Sequence, residues 1–254
     1  MSACALNINS PRFYVDKTLD GGEMDLRGDV AHRIARVLRL SAGATVELFD
    51  GGGRAWPAEV TEIRGQTVRL AVGQATEHAP DPTTILLAGM IRPHRFEWLI
   101  EKAAELGVTS ILPVVCTRSA VRPAEIGRSR HERWRRIAVE AAEQCGRVTV
   151  PRIEQPVPFE AALDAAAGRF FVAAEPAHGP VRPLGAGLGD VGGDGVTLFV
   201  GPEGGLTPDE VRRSIDAGAA AVTLGPRILR AETAALAALS ILVDARQRAV
   251  EQAP

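Results

Sequence analysis

Val196-Thr197-Leu198-Phe199-Val200-Gly201-Pro202-Glu203-Gly204-Gly205 and, a little further on, Ala220-Ala221-Val222-Thr223-Leu224-Gly225-Pro226-Arg227-Ile228-Leu229-Arg230-Ala231-Glu232-Thr233 follow one plan. In each, a short apolar run reads as a buried strand, a glycine and proline loop ends it, and a helix follows. The first helix opens at Pro208-Asp209-Glu210-Val211, with proline and acids where a first turn favours them. The second is rich in Ala and Leu and runs from about Glu232 to Val250. Two such units in succession place two backbone-rich loops at the carboxyl edge of a parallel sheet, where open α/β folds bind ligands. The ligand site is expected at these loops.

Upstream, strands and helices alternate. Strands are expected over 84–88, 111–115 and 170–174, and helices over 94–106 and 128–146. This is the pattern of an α/β domain built on a parallel sheet. In the long helix Trp134, Ile137, Ala138, Ala141 and Cys145 recur at three- and four-residue spacing, which buries one face and leaves Arg133 and Arg136 free. The first seventy residues read differently. Runs at 12–15, 45–49, 55–60 and 67–72 look like short strands, punctuated by Asp50-Gly51-Gly52-Gly53 and Arg64-Gly65-Gln66. One helix is expected over 29–40, capped by Asp29, with Val30, Ile34, Val37 and Leu38 on its buried face and Arg33 and Arg36 turned away. A small, mostly antiparallel β-barrel with one helix fits. The polar, proline-rich segment 74–82 then reads as a linker between domains at 1–73 and 83–254.

Two glycine motifs mislead. Gly187-Leu188-Gly189-Asp190-Val191-Gly192 matches GxGxxG, but no strand precedes it and a strand follows, so 186–195 reads as a flexible surface loop. The Gly201–Gly205 loop lacks the Gly-Lys-Ser/Thr of a phosphate loop.

With 254 residues, 46% of them apolar, the chain can bury one large core or two small ones. Its longest apolar stretch, 234–243, is short of a membrane span and no leader pattern opens it, so a cytoplasmic protein with no membrane partner is expected. Cys4, Cys116 and Cys145 are far apart, without CxxC or histidines at metal spacing, and neither a disulfide framework nor a metal is expected. Cys145 reads as a small residue on a buried helix face rather than a thiol nucleophile. The net charge of −2 argues against a nonspecific nucleic-acid binder. Its distribution argues otherwise, because residues 117–152 carry nine arginines against four glutamates, a footprint suited to phosphate. A solvated helix face is the other reading, in a chain whose only lysines are Lys17 and Lys102.

Five pieces occur in a telling order: Glu101-Lys102-Ala103-Ala104-Glu105-Leu106-Gly107-Val108, then Arg118-Ser119, Arg133-Trp134, Glu140-Ala141-Ala142-Glu143-Gln144-Cys145-Gly146-Arg147, and the two C-terminal loops with their helices. Taken together they resemble the bacterial 16S rRNA (uracil-1498-N3)-methyltransferase family, within the knotted, SPOUT class of RNA methyltransferases. The chain departs from that family at Ala231, where Thr is more usual, at Cys145, where Ser is, and around His94, where Arg92 and Arg95 stand in place of a common lysine. The change at Ala231 removes a hydroxyl beside the implied cofactor.

The resemblance implies a PUA-like RNA-binding β-barrel domain followed by a SPOUT-like methyltransferase domain whose C-terminal chain forms a trefoil knot. It implies S-adenosylmethionine as cofactor, without metal, and N3 of a uridine in 16S rRNA as target, within an assembled small ribosomal subunit, by a homodimer. The cofactor would lie on Gly201, Pro202, Glu203, Gly204, Gly205, Leu224, Gly225, Ile228, Leu229 and Arg230, with Ile228 and Leu229 over the adenine. RNA phosphates would meet Arg33, Arg36, Arg118, Arg122, Arg133, Arg136 and Arg147. Uracil N3 must lose a proton before it attacks, so Arg230 is expected to stabilise the charge spreading onto the carbonyl oxygens. Glu232 or Glu203, or else water, would accept the proton. Taken singly, the first loop reads as an ordinary strand-to-helix turn, and Arg230 and Glu232 as a surface pair or a helix N-terminal acid. Two other functions share features with this sequence: a noncatalytic RNA-binding ribosome assembly factor, and a small-molecule α/β enzyme using a nucleotide.

Overall fold

The computed structural model describes residues 10–16, 19–121, 127–175, 180–189 and 191–252. It divides into two compact units: Met1–Pro80 with Ala142–Val150, and Asp81–Ala141 with Pro151–Pro254.

In the first unit β1 (Arg12–Tyr14), β2 (Gly22–Leu26), β3 (Thr45–Phe49), β4 (Arg54–Arg64), β5 (Thr67–Val72) and β6 (Thr76–Glu77) make one sheet in the order β1-β3-β4-β5-β2, with β6 also on β4. Only β1 and β3 pair in parallel. Period-two patterning sends Phe13, Leu48, Trp56, Val60, Val68 and Leu70 into one core. A register shift between Val60 and Glu62 marks a bulge in the long β4, which lets the strand bend around that core. β2 was not foreseen because its sequence, Gly-Glu-Met-Asp-Leu, buries only Leu26; backbone pairing with β5 carries it.

The expected 29–40 helix is shorter and differently wound. α1 spans Gly28–His32, its N-cap is Arg27 rather than Asp29, and a π-helical turn, Arg33–Val37, continues it. Each π turn takes up an extra residue, so the apolar stripe slips off the core. Ile34 stays buried, whereas Val37 and Leu38, expected inside, are 63% and 45% exposed.

Residues 142–150 complete this unit. Ala142 and Val148 pack with Phe49 and Ala55. The buried Glu143 accepts hydrogen bonds from Tyr14 N at 2.9 Å and Arg33 Nη2 at 2.7 Å. Val150 N donates to Gly51 O at 3.0 Å.

The second unit runs β7 (Thr84–Gly89), α2 (Pro93–Glu105), β8 (Ser110–Val115), α3 (Arg128–Cys145, whose last turn belongs to the first unit), β9 (Arg152–Ile153), β10 (Val157–Pro158), α4 (Phe159–Asp164), β11 (Arg169–Ala173), β12 (Arg182–Pro183), α5 (Leu184–Leu188), β13 (Val196–Val200), α6 (Pro208–Asp216), β14 (Ala220–Thr223) and α7 (Ala231–Gln252). Its strands form a wholly parallel sheet, β10-β8-β7-β13-β11-β14-β12, with β9 also on β8. Every residue of β13 is buried, as expected of a central parallel strand covered on both faces. The chain reaches the β14 side of the sheet and then returns, because α7 packs on α2, α5, β13 and β7. That return is consistent with the knot implied by the resemblance.

The GxGxxG region is corrected. Leu184–Leu188 is a helix, with Gly187 and Leu188 buried against the sheet, and of the expected loop the residues 191–195 are irregular. A side chain on Gly187 would approach the Phe171 ring to 3.3 Å, so this glycine serves packing.

Candidate functional site

The loops after β13 and β14 open onto one cavity of about 340 Å³, completed by the end of β11. Val200, Leu206, Val211, Val222 and Ala231 give it an apolar floor. Its size and mixed lining suit a small organic ligand.

The first loop is held from three sides. Gly205 N donates to Pro202 O at 2.8 Å, and Gly205 has φ 71°, a left-handed value that glycine adopts freely. A Cβ on Gly89, at the end of β7, would collide with Pro202 N and lie 2.6 Å from the Gly201 carbonyl carbon, so strand and loop approach as only glycine permits. Beyond the loop, Thr207 and Glu210 form a capping box: Thr207 Oγ1 accepts from Glu210 N, and Thr207 N donates to Glu210 Oε2 at 2.8 Å. The other Glu210 oxygen accepts from Thr117 N at 2.8 Å, which ties the start of α6 to the loop after β8. Burial and the neighbouring Glu210 push the Cys116 thiol in that loop up to about 12, so it stays protonated and inert at neutral pH.

The second loop turns at Gly225, φ 127°, whose N donates to Thr223 Oγ1 at 3.2 Å. Arg230 O accepts from Ala234 N at 2.8 Å, which starts α7. Ala231 is buried and lines the cavity, so the methyl stands where the family's usual Thr would bring a hydroxyl.

Of the residues expected at the cofactor, Gly201, Pro202, Glu203, Gly205, Leu224, Gly225, Ile228 and Leu229 line this cavity. Ile228, on the lining, is 84% exposed. Gly204 and Arg230 are not in the lining. A Cβ on Gly204 would lie 2.9 Å from Arg118 Cβ, so this glycine faces the 116–119 loop, and Arg118 Nη1 donates to its carbonyl at 3.2 Å. The Arg230 side chain is exposed at the start of α7, with no hydrogen-bond partner among the described residues. Glu232 is buried in the first turn of α7, with Oε1 3.6 Å from Arg95 Nη1.

The arginines expected at RNA separate into two kinds. Arg33 is paired with Glu143 and lies over the Phe13 ring. Arg133 makes a two-pronged contact with Glu97 at 2.8 and 3.0 Å, which raises its pKa, and Arg147 donates to Thr149. Arg36, Arg118 and Arg136 are exposed. Arg122 lies outside the described residues. Arg33, Arg36 and Arg147 belong to the first unit and Arg118, Arg133 and Arg136 to the second.

Sequence reasoning passed over Ala173, Ala174 and Glu175, which line the cavity from the end of β11. The signal was present: in a parallel sheet the residues after each strand share one edge, and 170–174 reads as a strand. Sequence reasoning noted Arg95 only as standing near a common lysine of the family and gave it no role.

Comparison with known proteins adds to this geometry. Residues 78–243 match the model of an RNA methyltransferase domain and residues 26–72 that of an RNA methyltransferase PUA domain. Ribosomal RNA small subunit methyltransferase E of Synechocystis sp. is 35% identical over 215 residues, 82% of this chain and 69% of the relative. Its counterpart in Bacillus subtilis is 30% identical over 243 residues, 91% and 95% of the two chains. A crystal structure of ribosomal RNA small subunit methyltransferase E from Neisseria gonorrhoeae, bound to S-adenosyl methionine, is 32% identical, covers 92% of this chain and 96% of its own, and superposes with a TM-score of 0.80.

Proposed function

This chain belongs to the RNA methyltransferase family of ribosomal RNA small subunit methyltransferase E, and from that premise we propose that it methylates N3 of a uridine in 16S ribosomal RNA. It is an S-adenosylmethionine-dependent ribosomal RNA methyltransferase. One observation carries the reading: two loops from separate parts of the C-terminal chain converge on a single cavity at the carboxyl edge of a parallel sheet.

The residues present fit the cofactor. The apolar floor and Leu229 suit a flat adenine, and the backbone of 201–205 and 224–228 offers N–H and C=O groups to its edge. Glu175 and Glu203 bring carboxylates to the lining of a site for a cationic ligand, Glu203 being shared with Arg95 and Arg227 standing on the same lining. When bound, the cofactor supplies an electrophilic methyl group on a sulfonium. The protein must then hold the base in line, stabilise charge on the uracil carbonyl oxygens, and accept the N3 proton. Arg230 is suited to the second task, since its side chain is exposed beside the cavity and has no hydrogen-bond partner among the described residues. Glu203, on the cavity lining, and Glu232, next to the lining residue Ala231, are assigned the third, with water as the alternative acceptor.

The same proposal assigns docking to residues 1–73 and chemistry to 83–254, except that the expected linker 74–82 carries β6, paired with β4, and that Ala142–Val150 go with the docking unit. Arg36, Arg118 and Arg136, exposed and without a carboxylate partner among the described residues, are best suited to phosphate. It extends to a cytoplasmic homodimer acting on an assembled small subunit. Supporting a dimer, α7 turns Leu236, Ala237, Ser240 and Val243 partly or fully outward, small and apolar enough for a two-fold contact.

Calorimetry with S-adenosylmethionine, light scattering, and mass spectrometry of 16S rRNA nucleosides from cells with and without the protein test these points. Metal-independent cofactor binding, a dimeric mass and loss of 3-methyluridine are expected. RNA binding without cofactor binding would instead make the protein a noncatalytic assembly factor.

A further inference from the structure

Arg95 lies in the first turn of α2, outside both loops, yet it touches the first loop and the first turn of the helix that follows the second. Its Nη1 donates to Glu203 Oε1 at 3.0 Å and stands 3.6 Å from Glu232 Oε1. Glu203 belongs to the first loop and lines the cavity, and Glu232 begins α7 directly after the second loop. One guanidinium therefore gathers carboxylates from the two segments that form the site, with Arg92 Nε a further 4.0 Å contact to Glu203 Oε2. Arg95 and Glu203 are each about a quarter exposed, so solvent screening keeps their attraction modest. The contribution is geometric. Both contacts run through Nη1, whose direction is set by the rigid guanidinium plane, whereas a lysine ammonium sits on a flexible stem. The arrangement also leaves Glu232 Oε2 buried with no hydrogen-bond partner among the described residues. A buried acceptor in that state is costly, and a donor arriving with a ligand relieves it.

We propose that Arg95 is a positioning residue: it clamps the first loop to the start of α7, fixes the Glu232 carboxylate through Oε1, and keeps Oε2 open as an acceptor for an N–H donor of the bound ligands. Without it, two carboxylates would face each other and drive the loops apart. The inference rests on the methyltransferase reading for its catalytic consequence, and on geometry alone for the clamp.

The test uses the full-length protein with Arg95→Met, which keeps length and removes charge, and Arg95→Lys, which keeps charge and loses the fork. Hydrogen exchange in the free protein reads the clamp. In Arg95→Met the amides of 201–206 and 224–234 should exchange faster together while the rest of the second unit is unchanged. Calorimetry and single-turnover methylation of small-subunit particles read the consequence. S-adenosylmethionine affinity and the single-turnover rate should each fall by roughly tenfold to a hundredfold, the scale of an ångström of misplacement, with RNA half-saturation unaltered. Arg95→Lys should recover part of the loss. Unchanged exchange in either loop, or faster exchange across the whole unit, would overturn the clamp. Should the wild-type protein methylate nothing, the functional reading fails while exchange still decides the role of Arg95.

Discussion

Arg230 and Gly89 show how differently single residues contribute to one site. Arg230 contributes almost no packing, and its proposed role is chemical: its side chain is exposed and has no hydrogen-bond partner among the described residues. Arg230→Ala should therefore leave the thermal midpoint and cofactor affinity nearly unchanged. If its donors meet the uracil oxygens only as charge develops there, single-turnover methylation should slow by about a hundredfold or more, the usual loss of one oxyanion donor. A wild-type rate would move the role to another residue. Gly89 is the opposite case, because it carries no functional group and sits where a Cβ would strike the backbone of Gly201 and Pro202. Gly89→Ala should cost roughly 1–3 kcal/mol in urea unfolding through overpacking. It should also weaken cofactor binding, since the strand end cannot yield and the loop must. Retention of full stability would mean that the approach of loop and strand is looser than the geometry indicates.

Among the elements, those whose burial follows one period were legible in the sequence and those that break period were not. β13 and β7 are continuous apolar runs inside a parallel sheet, and α2 and α3 carry stripes at helical spacing, so all four stand where the sequence places them. The π-helical turn at Arg33–Val37 was invisible, because its effect on Val37 and Leu38 is a change of phase that no α-helical template contains. α5 was hidden by three glycines that suggested a loop, although the packing of Gly187 on Phe171 decides the matter. The two cavity loops were readable from their strand-loop-helix order. Arg95 was not, since its partners lie far along the chain and only the fold brings them near. The arginines make the same point for RNA. Their number was legible and their commitments to Glu143, Glu97 and Thr149 were not. Alanine at Arg36, Arg118 or Arg136 should each shrink the slope of log K against log salt for RNA binding by about 0.7 to 0.9 where the residue meets a phosphate. Alanine at Arg33 should act chiefly on stability, because it strands the buried Glu143. Equal salt slopes for both sets, in filter-binding titrations, would show that the intramolecular pairs are given up on binding.

For the whole molecule, the first unit is not a contiguous stretch of chain. It needs Ala142–Val150, which supplies Glu143 to Tyr14 N and Arg33, and packs Ala142 and Val148 on Phe49 and Ala55. A fragment of residues 1–80 should accordingly be less stable than the same residues in the full chain. Circular dichroism should show a shallow, low-temperature transition that sharpens when the fragment is replaced by 1–150. An equally cooperative and stable fragment would show that the late segment is dispensable. During translation the same dependence becomes a matter of timing. Residues 1–80 leave the ribosome with their last structural piece still unmade, and at roughly 5–20 residues per second that piece follows only about 4–14 seconds later. Throughout that interval the parts of Phe49 and Ala55 that Ala142 and Val148 will cover stay open, so the nascent chain is a natural client for a chaperone. A premature stop before residue 142 would then release not a usable RNA-docking module but a substrate for proteolysis.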